Sequence, residues 1–240
     1  MATTITEKLT IDGAGSKVVL DGLDFTSGGF VDVYNADEVV VKNCRVYGIV
    51  PNAAKSFWMN IHNDIPVKVI VENCFFGSNP SIGANKVYNL LEMTAKLKYG
   101  SSISNNYFKA DCCTHNTINL YGLTDNAEIK VNGNVFESSA GTIRVGVKGA
   151  VPCNIYMNDN NILANNTNYG KEDWGLLTIQ PYGKQTSSFK HMTIIMKDNI
   201  APCEQIAYAG YGSDDTAMTD ELMPKVIING KIASIPIYQW

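Results

Sequence analysis

Polar side chains of several chemical types recur between short apolar runs of this 240-residue chain. If the runs are β-strands, their alternation turns one set of these side chains to a single outer face. The set consists of Asp32, Asn60, His62, Glu92, Asn119, Tyr121, Arg144 and Gln180. Acid, amide, guanidinium, imidazole and phenol groups together suit the hydroxyl groups of a sugar. The pattern predicts a ligand-binding face, for which the simpler interpretation is a solvated sheet surface.

Hydrolysis of a glycosidic bond requires two carboxyl groups about 5 to 10 Å apart, in addition to groups that bind the sugar. Glu92 with Asp64 or Asp125 could supply such a pair, and Arg144 is the arginine near these acids. If the chain is an enzyme, we expect Glu92, Arg144 and Asp64 to act in a polysaccharide lyase or glycoside hydrolase. The pattern is weak, however, and the interpretation that the chain is not an enzyme is favoured, with no catalytic residues assigned.

The cysteines and histidines do not form a recognisable metal site. No CxxC occurs, and His62, His115 and His191 do not have the spacing of metal ligands. We therefore predict no metal and no cofactor. Cys44 and Cys74 are expected to be reduced, small apolar fillers at a tight corner, because stacked parallel positions seldom suit disulfide geometry.

Composition excludes some classes of partner. The net charge is -4 and only two arginines occur, so we expect no nucleic-acid partner. No run approaches the roughly 18 apolar residues that a membrane span requires. The first residues contain no apolar segment typical of a secretory signal, although a signal removed earlier would leave no trace.

A repeat positions the candidate residues. Its clearest copies read VVVKNCRV, VIVENCFF, SSISNNYF, IKVNGNVF and IYMNDNNI. Aligned on the last apolar residue before the polar one, the copies give the series Leu20, Val41, Val71, Ile103, Val131, Met157, Met196 and Ile228. The mean interval is about 30 residues, which with β-branched alternation indicates a β-solenoid. A second apolar run between copies gives each coil at least two strands.

The repeat also predicts columns of like side chains along the stack, about 4.8 Å apart. The apolar series is expected to face inward. Two residues later come Asn, Asp or Gly, which tolerate a left-handed turn. The next position holds Cys44, Cys74, Asn106, Asn134, Asn160 and Asn199, and a stacked asparagine can bind the backbone of the neighbouring turn.

These copies, with the LTIDG opening at residues 9–13, resemble the right-handed parallel β-helix superfamily of pectin-active enzymes and phage tailspikes. The resemblance implies an all-β, single-domain right-handed parallel β-helix of about eight coils over residues 1–240. Residues 1–15 are expected to form an N-terminal lead-in or cap, and residues 233–240 a C-terminal cap or docking tail.

Within this superfamily, the chain most resembles a phage virion β-helix protein. We therefore expect a non-enzymatic bacteriophage structural protein, a capsid decoration or a fibre or spike component, with host-surface glycan binding. Its partners would be copies of itself, as a homotrimer, other virion proteins and polysaccharide. Phe57, Trp58, Trp174 and Trp240 are candidate contacts, with burial against the helix as the simpler interpretation.

Two alternatives stay open. One is a polysaccharide lyase or glycoside hydrolase of the pectin-lyase-like fold. The other is a secreted bacterial carbohydrate-binding surface protein. The expected location is the virion, assembled in the host cytoplasm, with a secreted or cell-surface location under the last alternative.

Overall fold

The computed structural model is all-β with mostly parallel sheets. It describes residues 2–26, 29–47, 59–62, 65–77, 87–93, 95–109, 113–120, 123, 126–137, 143–146, 152–163, 175–181, 189–202, 206–212 and 214–239. Phe57, Trp58, Trp174 and Trp240 lie outside these residues, as do Asp64, Tyr121 and Asp125. The only helical element in the described part is a 3-10 turn at Asp220–Leu222.

Sheet 1 contains nine strands, and it holds the repeated motif. Its strands are β3 (Lys17–Asp21), β6 (Glu38–Lys42), β9 (Lys68–Glu72), β12 (Ser101–Ser104), β15 (Glu128–Asn132), β18 (Asn154–Asn158), β21 (Thr193–Lys197), β23 (Lys225–Ile228) and β24 (Lys231–Ile232). Neighbours pair in parallel except β24, which turns back antiparallel on β23. That hairpin closes the end of sheet 1.

Sheet 2 is built from short strands that follow those of sheet 1. They are β1 (Thr3–Ile5), β4 (Leu23–Phe25), β7 (Arg45–Tyr47), β10 (Phe75–Gly77), β13 (Tyr107–Lys109), β16 (Val135–Glu137) and β19 (Asn161–Ile162). All of these pairs are parallel.

Sheets 3 and 4 contain the second apolar run of each repeat. Sheet 3 consists of β2 (Lys8–Asp12), β5 (Phe30–Tyr34) and β8 (Met59–His62). Sheet 4 consists of β11 (Val87–Met93), β14 (Cys113–Leu120), β17 (Ile143–Val145), β20 (Leu177–Ile179), β22 (Ala207–Tyr211) and β25 (Ile237–Gln239). The chain thus visits sheet 1, sheet 2 and then sheet 3 or 4 before it returns, a path compatible with a β-solenoid and with three strands per repeat.

The apolar series forms the expected column in sheet 1. Val41 pairs in register with Val71, and Val71 with Ile103. All three side chains are buried. The same strand register extends to Leu20 at one end and to Met196 with Ile228 at the other. Alternating side chains of sheets 3 and 4 face the same core, which buries apolar surface along the whole stack.

Sheet 2 adds an aromatic column that contacts this core. Phe76, Phe108 and Phe136 are fully buried, and their rings stack with centroids 4.9 and 5.1 Å apart. Each follows the apolar residue of its own repeat by five positions, as Phe76 follows Val71. The corner between sheets 1 and 2 therefore has the same length from repeat to repeat.

Left-handed backbone makes that corner possible. Asn43, Asn73 and Asn105 have φ of 54°, 54° and 57°, and Gly133 has 65°. The prediction that this position is a left-handed turn is confirmed. At Gly133 a Cβ would lie 2.5 Å from the side-chain oxygen of Asn105, so a larger residue there would have to displace that exposed side chain.

The chain termini join the sheets. β1 pairs with β4 and β2 with β5, so residues 3–12 supply strands at the N-terminal end of sheets 2 and 3. At the other end β25 pairs in parallel with β22. The tail predicted as a cap or docking segment thus contributes the last strand of sheet 4. In the described part of the chain, no helix has the length and hydropathy needed to cross a bilayer.

Candidate functional site

The predicted ligand-binding face is divided between sheets 3 and 4. In sheet 3, Asp32 pairs in register with Asn60, and Tyr34 with His62. In sheet 4, Glu92 pairs with Asn119, Asn119 with Arg144, and Arg144 with Thr178. For Asn60, His62 and Glu92 the structure gives the strand position only. Within each sheet, the structure thus brings the predicted strand positions into the expected rows.

Four side chains of this face that the structure describes are buried. Asn119 is 1% exposed, Arg144 8%, Thr178 1% and Asp32 4%. Ile118 and Leu120, which alternate with Asn119, are buried in the core, so Asn119 points to the opposite side of the sheet. The interpretation of this face as a solvated surface is wrong for Asp32, Asn119 and Arg144, and Thr178, which pairs with Arg144, is covered as well. They form a polar layer that is closed to solvent.

Hydrogen bonds tie this layer to neighbouring segments. Arg144 donates through Nη2 to the carbonyl oxygen of Pro181 at 3.0 Å, and Thr178 Oγ1 bonds the hydroxyl of Tyr208 at 2.6 Å. Gln180 donates to Asp215 Oδ2 at 3.0 Å. A segment near residue 215 therefore packs against one edge of the predicted face.

Asp32 is held by an ion pair. Its carboxylate contacts the ammonium group of Lys8, and that hydrogen bond raises the pKa of Lys8. The same ammonium lies 5.4 Å from the centroid of the Phe30 ring. Because Asp32 is buried and paired, its role in this arrangement is to fix β2 against β5.

Hydrogen bonding within the covered layer is incomplete at Asn119. Its side-chain oxygen is buried and accepts no hydrogen bond, and the same holds for the hydroxyl of Thr117 two residues earlier on β14. Leaving such a group unpaired costs about 1 to 3 kcal/mol. Neither atom is open to a large ligand, because both side chains are at least 99% buried.

The corner between sheets 1 and 2 contains an open groove that was not predicted. It has a volume of about 540 Å³. Its lining residues are Asn43, Cys44, Arg45, Asn73, Cys74, Phe75, Asn105, Asn106, Tyr107, Gly133 and Val135. They come from four successive repeats, so the groove runs along the stack for on the order of 14 Å.

The two walls of this corner groove differ in character. On the sheet 1 side lie the exposed amides of Asn43, Asn73 and Asn105. On the sheet 2 side lie the half-buried rings of Phe75 and Tyr107, stacked with centroids 5.7 Å apart and planes 8° from parallel. The sheet 1 wall is polar, and the sheet 2 wall is largely apolar except for Arg45 at one end.

The signal for the groove was present in the motif. Arg45, Phe75, Tyr107 and Val135 stand one place after the inward Cys or Asn position, and they therefore point outward on sheet 2. The left-handed residues were interpreted only as turn formers. Their shared concave corner depends on the angle between two sheets, which the sequence pattern does not give.

Cys44, Cys74 and Asn106 line the floor of the groove, and they belong to a longer column of thiols and amides. Asn134 Nδ2 donates to the carbonyl of Ile103 at 2.9 Å and to Asn160 Oδ1 at 3.0 Å, while its Oδ1 accepts from the backbone and side chain of Asn106 at 3.0 and 3.1 Å. Asn160 and Asn199 repeat the pattern. This asparagine ladder confirms that stacked asparagines bind the backbone of neighbouring turns.

Cys44 and Cys74 continue the column as free thiols. Their sulfurs lie 3.2 Å from the carbonyl oxygens of Lys42 and Glu72. The hydrogen bond to Cys44, together with burial, raises the pKa of the Cys74 thiol. The prediction of reduced cysteines at this corner is confirmed for this pair. Among the described residues, no group of three or more acidic, histidine or cysteine side chains could hold a metal ion.

Comparison of the chain with family models, curated proteins and solved structures finds no match.

Proposed function

We propose that this chain is a non-enzymatic structural protein of a bacteriophage virion that also binds host-surface glycans. It folds as one right-handed parallel β-helix of about eight coils and assembles as a homotrimer with other virion proteins. The observation that carries the structural part is the pair of continuous columns along the stack, the apolar column of Val41, Val71 and Ile103 and the asparagine ladder.

These columns favour a mechanical role. Each repeat is joined to the next by backbone hydrogen bonds and by apolar contact. At the corner, buried side-chain amides of the asparagine ladder add further hydrogen bonds. Separation of two repeats would expose all of these groups together. A stack of this kind resists pulling and proteolysis, as a component of a particle surface must.

The covered face supports a role without catalysis. Of the three residues predicted for an enzyme, Arg144 has a described side chain, and that side chain is buried. A polysaccharide chain would have to displace whatever covers Arg144 and Asn119 before it could react. The free thiols of Cys44, Cys74 and Cys153 suit assembly in a reducing cytoplasm.

Native mass and particle association test the structural role. We expect a trimer by native mass spectrometry, and we expect the protein to sediment with purified phage particles when it is expressed with the other virion proteins. A monomer that never associates with particles would contradict the proposal. A protein found on the bacterial surface without particles would favour the secreted carbohydrate-binding alternative.

A polysaccharide lyase or glycoside hydrolase is the second candidate, and one observation favours it. Arg144 and Asn119 lie in register with the strand position of Glu92, so acid, amide and guanidinium occupy successive rows. The test is release of reducing sugar or unsaturated product from a polysaccharide panel. Activity that disappears in both Glu92→Gln and Arg144→Ala, while Tyr99→Ala at an exposed ring outside this face retains it, would establish this candidate over the structural one.

A further inference from the structure

We infer that the corner groove is the glycan-binding site, and that it takes a linear glycan lying along the stack across Asn73, Asn105, Phe75 and Tyr107. The inference rests on the proposed glycan binding and assigns it to a surface other than the face expected from the sequence. It is carried by the open groove, its unlike walls and the fixed positions of its two rings.

The groove offers side chains and no free strand edge. The backbone amides of Phe75, Tyr107 and Val135 donate to carbonyls of the preceding repeat at 2.9 Å. Those of Asn43, Asn73 and Asn105 donate to the following repeat at 3.0 to 3.3 Å. An extended peptide binds an exposed sheet by adding a strand, and that mode is closed here. A ligand must use the amides and the rings.

The polar wall has unused hydrogen-bonding capacity. The amide of Asn43 donates to Asp21 at 2.8 Å. The side chains of Asn73 and Asn105 form no hydrogen bond to another described residue, and both are exposed. A primary amide offers two donors and a carbonyl acceptor, which matches hydroxyl groups that both donate and accept.

The apolar wall is preorganised. The Phe75 ring lies over Gly77, where a Cβ would be only 2.5 Å from ring atom Cε1. The Tyr107 ring is held at its other end by a hydrogen bond from its hydroxyl to Glu137, which also lies 3.7 Å from the ammonium of Lys109. Rings that are fixed before binding lose little conformational entropy when a ligand arrives.

The ligand chemistry follows from these two walls. A sugar ring has apolar C–H surfaces and a rim of hydroxyl groups, so it can contact rings on one side and amides on the other. Because an amide and a ring face each other in two successive repeats, Asn73 with Phe75 and Asn105 with Tyr107, a polymer whose own units repeat along the axis meets the same pair of contacts twice. Arg45, exposed in the same groove, adds donors at one end.

Substitutions that preserve the corner provide the sharpest test. Asn73→Gly and Asn105→Gly remove the side-chain amides at positions with left-handed φ, which glycine adopts without strain. The chain itself has glycine at two equivalent positions, Gly22 and Gly133. Asn35→Gly is the matched control, since Asn35 has φ of 53° and lies outside the groove. The probe is an array of purified lipopolysaccharide O-chains and capsular polysaccharides, followed by calorimetric titration of the oligosaccharide that binds best.

We expect the double variant Asn73→Gly/Asn105→Gly to weaken binding roughly tenfold or more, which corresponds to about 1.4 kcal/mol or more, whereas Asn35→Gly stays within about twofold of the parent. Tyr107→Ala should weaken binding by a similar factor, and Tyr99→Ala, which removes an exposed ring elsewhere, should not. Gly77→Ala keeps every groove side chain but displaces the Phe75 ring, so it should weaken binding severalfold. Urea midpoints establish that each variant is folded.

Glycan binding that is unchanged in the double Asn variant and in Gly77→Ala would overturn the inference while leaving the proposed glycan binding intact. If the parent protein binds no glycan on the array, the inference and the glycan-binding part of the proposed function both fail, and the structural role is judged by the particle experiment. If the groove variants instead change the native mass, the occupant is a second copy of the chain and the inference is wrong.

Discussion

The corner column has an amide part and a thiol part, and the two parts hold equivalent turns by different means. Asn106, Asn134 and Asn160 bind the backbone of the preceding repeat and the amide of the following one. Cys44 and Cys74 occupy the same position with a single sulfur each, placed beside carbonyl oxygens. The backbone turn therefore needs only a small buried side chain at this position. The asparagine amides add a second set of hydrogen bonds between repeats.

Removing one amide from the middle of the ladder tests this difference most severely. We expect Asn134→Ala to lower the free energy of unfolding by about 4 kcal/mol, because Ile103 O and the backbone N–H of Asn106 would lose buried partners. Urea denaturation measures the change. A loss below about 1 kcal/mol would show that the ladder adds little beyond filling space.

The same truncation in the thiol part is the matched control. We expect Cys74→Ala to lower the free energy of unfolding by only about 1 kcal/mol, since it removes one sulfur and its weak contacts. Urea denaturation under the conditions used for Asn134→Ala gives the comparison. Equal losses at the two positions would remove the distinction between the two parts of the column.

Of the two parts of the column, only the thiol part should lose stability at alkaline pH, because its side chains titrate and the amides do not. The pKa of Cys74 is raised by its hydrogen bond to Cys44 and by burial, so the folded protein keeps this proton while the unfolded chain loses it above its ordinary value of 9.0. Stability from this group is therefore present below pH 9 and is lost as pH rises further, and the loss is partly offset because the same hydrogen bond lowers the pKa of Cys44. Urea midpoints between pH 8 and pH 10 should fall less in Cys74→Ala than in the parent, and equal slopes would contradict the assignment.

Extending the ladder should produce the smallest change, and of opposite sign. In Cys74→Asn, the new amide can bind Val41 O and Asn106 Oδ1 as Asn106 binds Val71 O and Asn134 Oδ1. We expect a gain of about 0.5 to 1 kcal/mol in the free energy of unfolding. A destabilised variant would show that the corner around Cys74 is too narrow for an amide.

The sequence predicted the features that depend on local repetition. The register of Val41, Val71 and Ile103, the left-handed Asn and Gly positions and the reduced Cys44 and Cys74 all follow from equivalent residues lying over one another. The number of strands per repeat was predicted only as two or more, because sheet 2 strands such as Phe75–Gly77 are too short to show alternation.

The site was predicted less well than the fold. Strand alternation placed Asn119 and Arg144 on the side of sheet 4 away from the core, but it contains no information on what packs over that side, and both residues proved buried. The corner groove depends on the angle between two sheets and on the rings of Phe75 and Tyr107 leaning along their strands. Neither feature is a property of any single copy of the repeat.

The constant five-residue step from Val71 to Phe76, and likewise from Ile103 to Phe108, has a consequence for how such a chain can change in length. A whole repeat copied or deleted at this corner keeps every remaining column in phase, since no neighbouring turn has to accommodate an extra residue. An insertion within the corner would shift the sheet 2 strand that follows it against its neighbours. Evolution by duplication of complete units can therefore set the length of this protein, while the other two connections remain free to diversify.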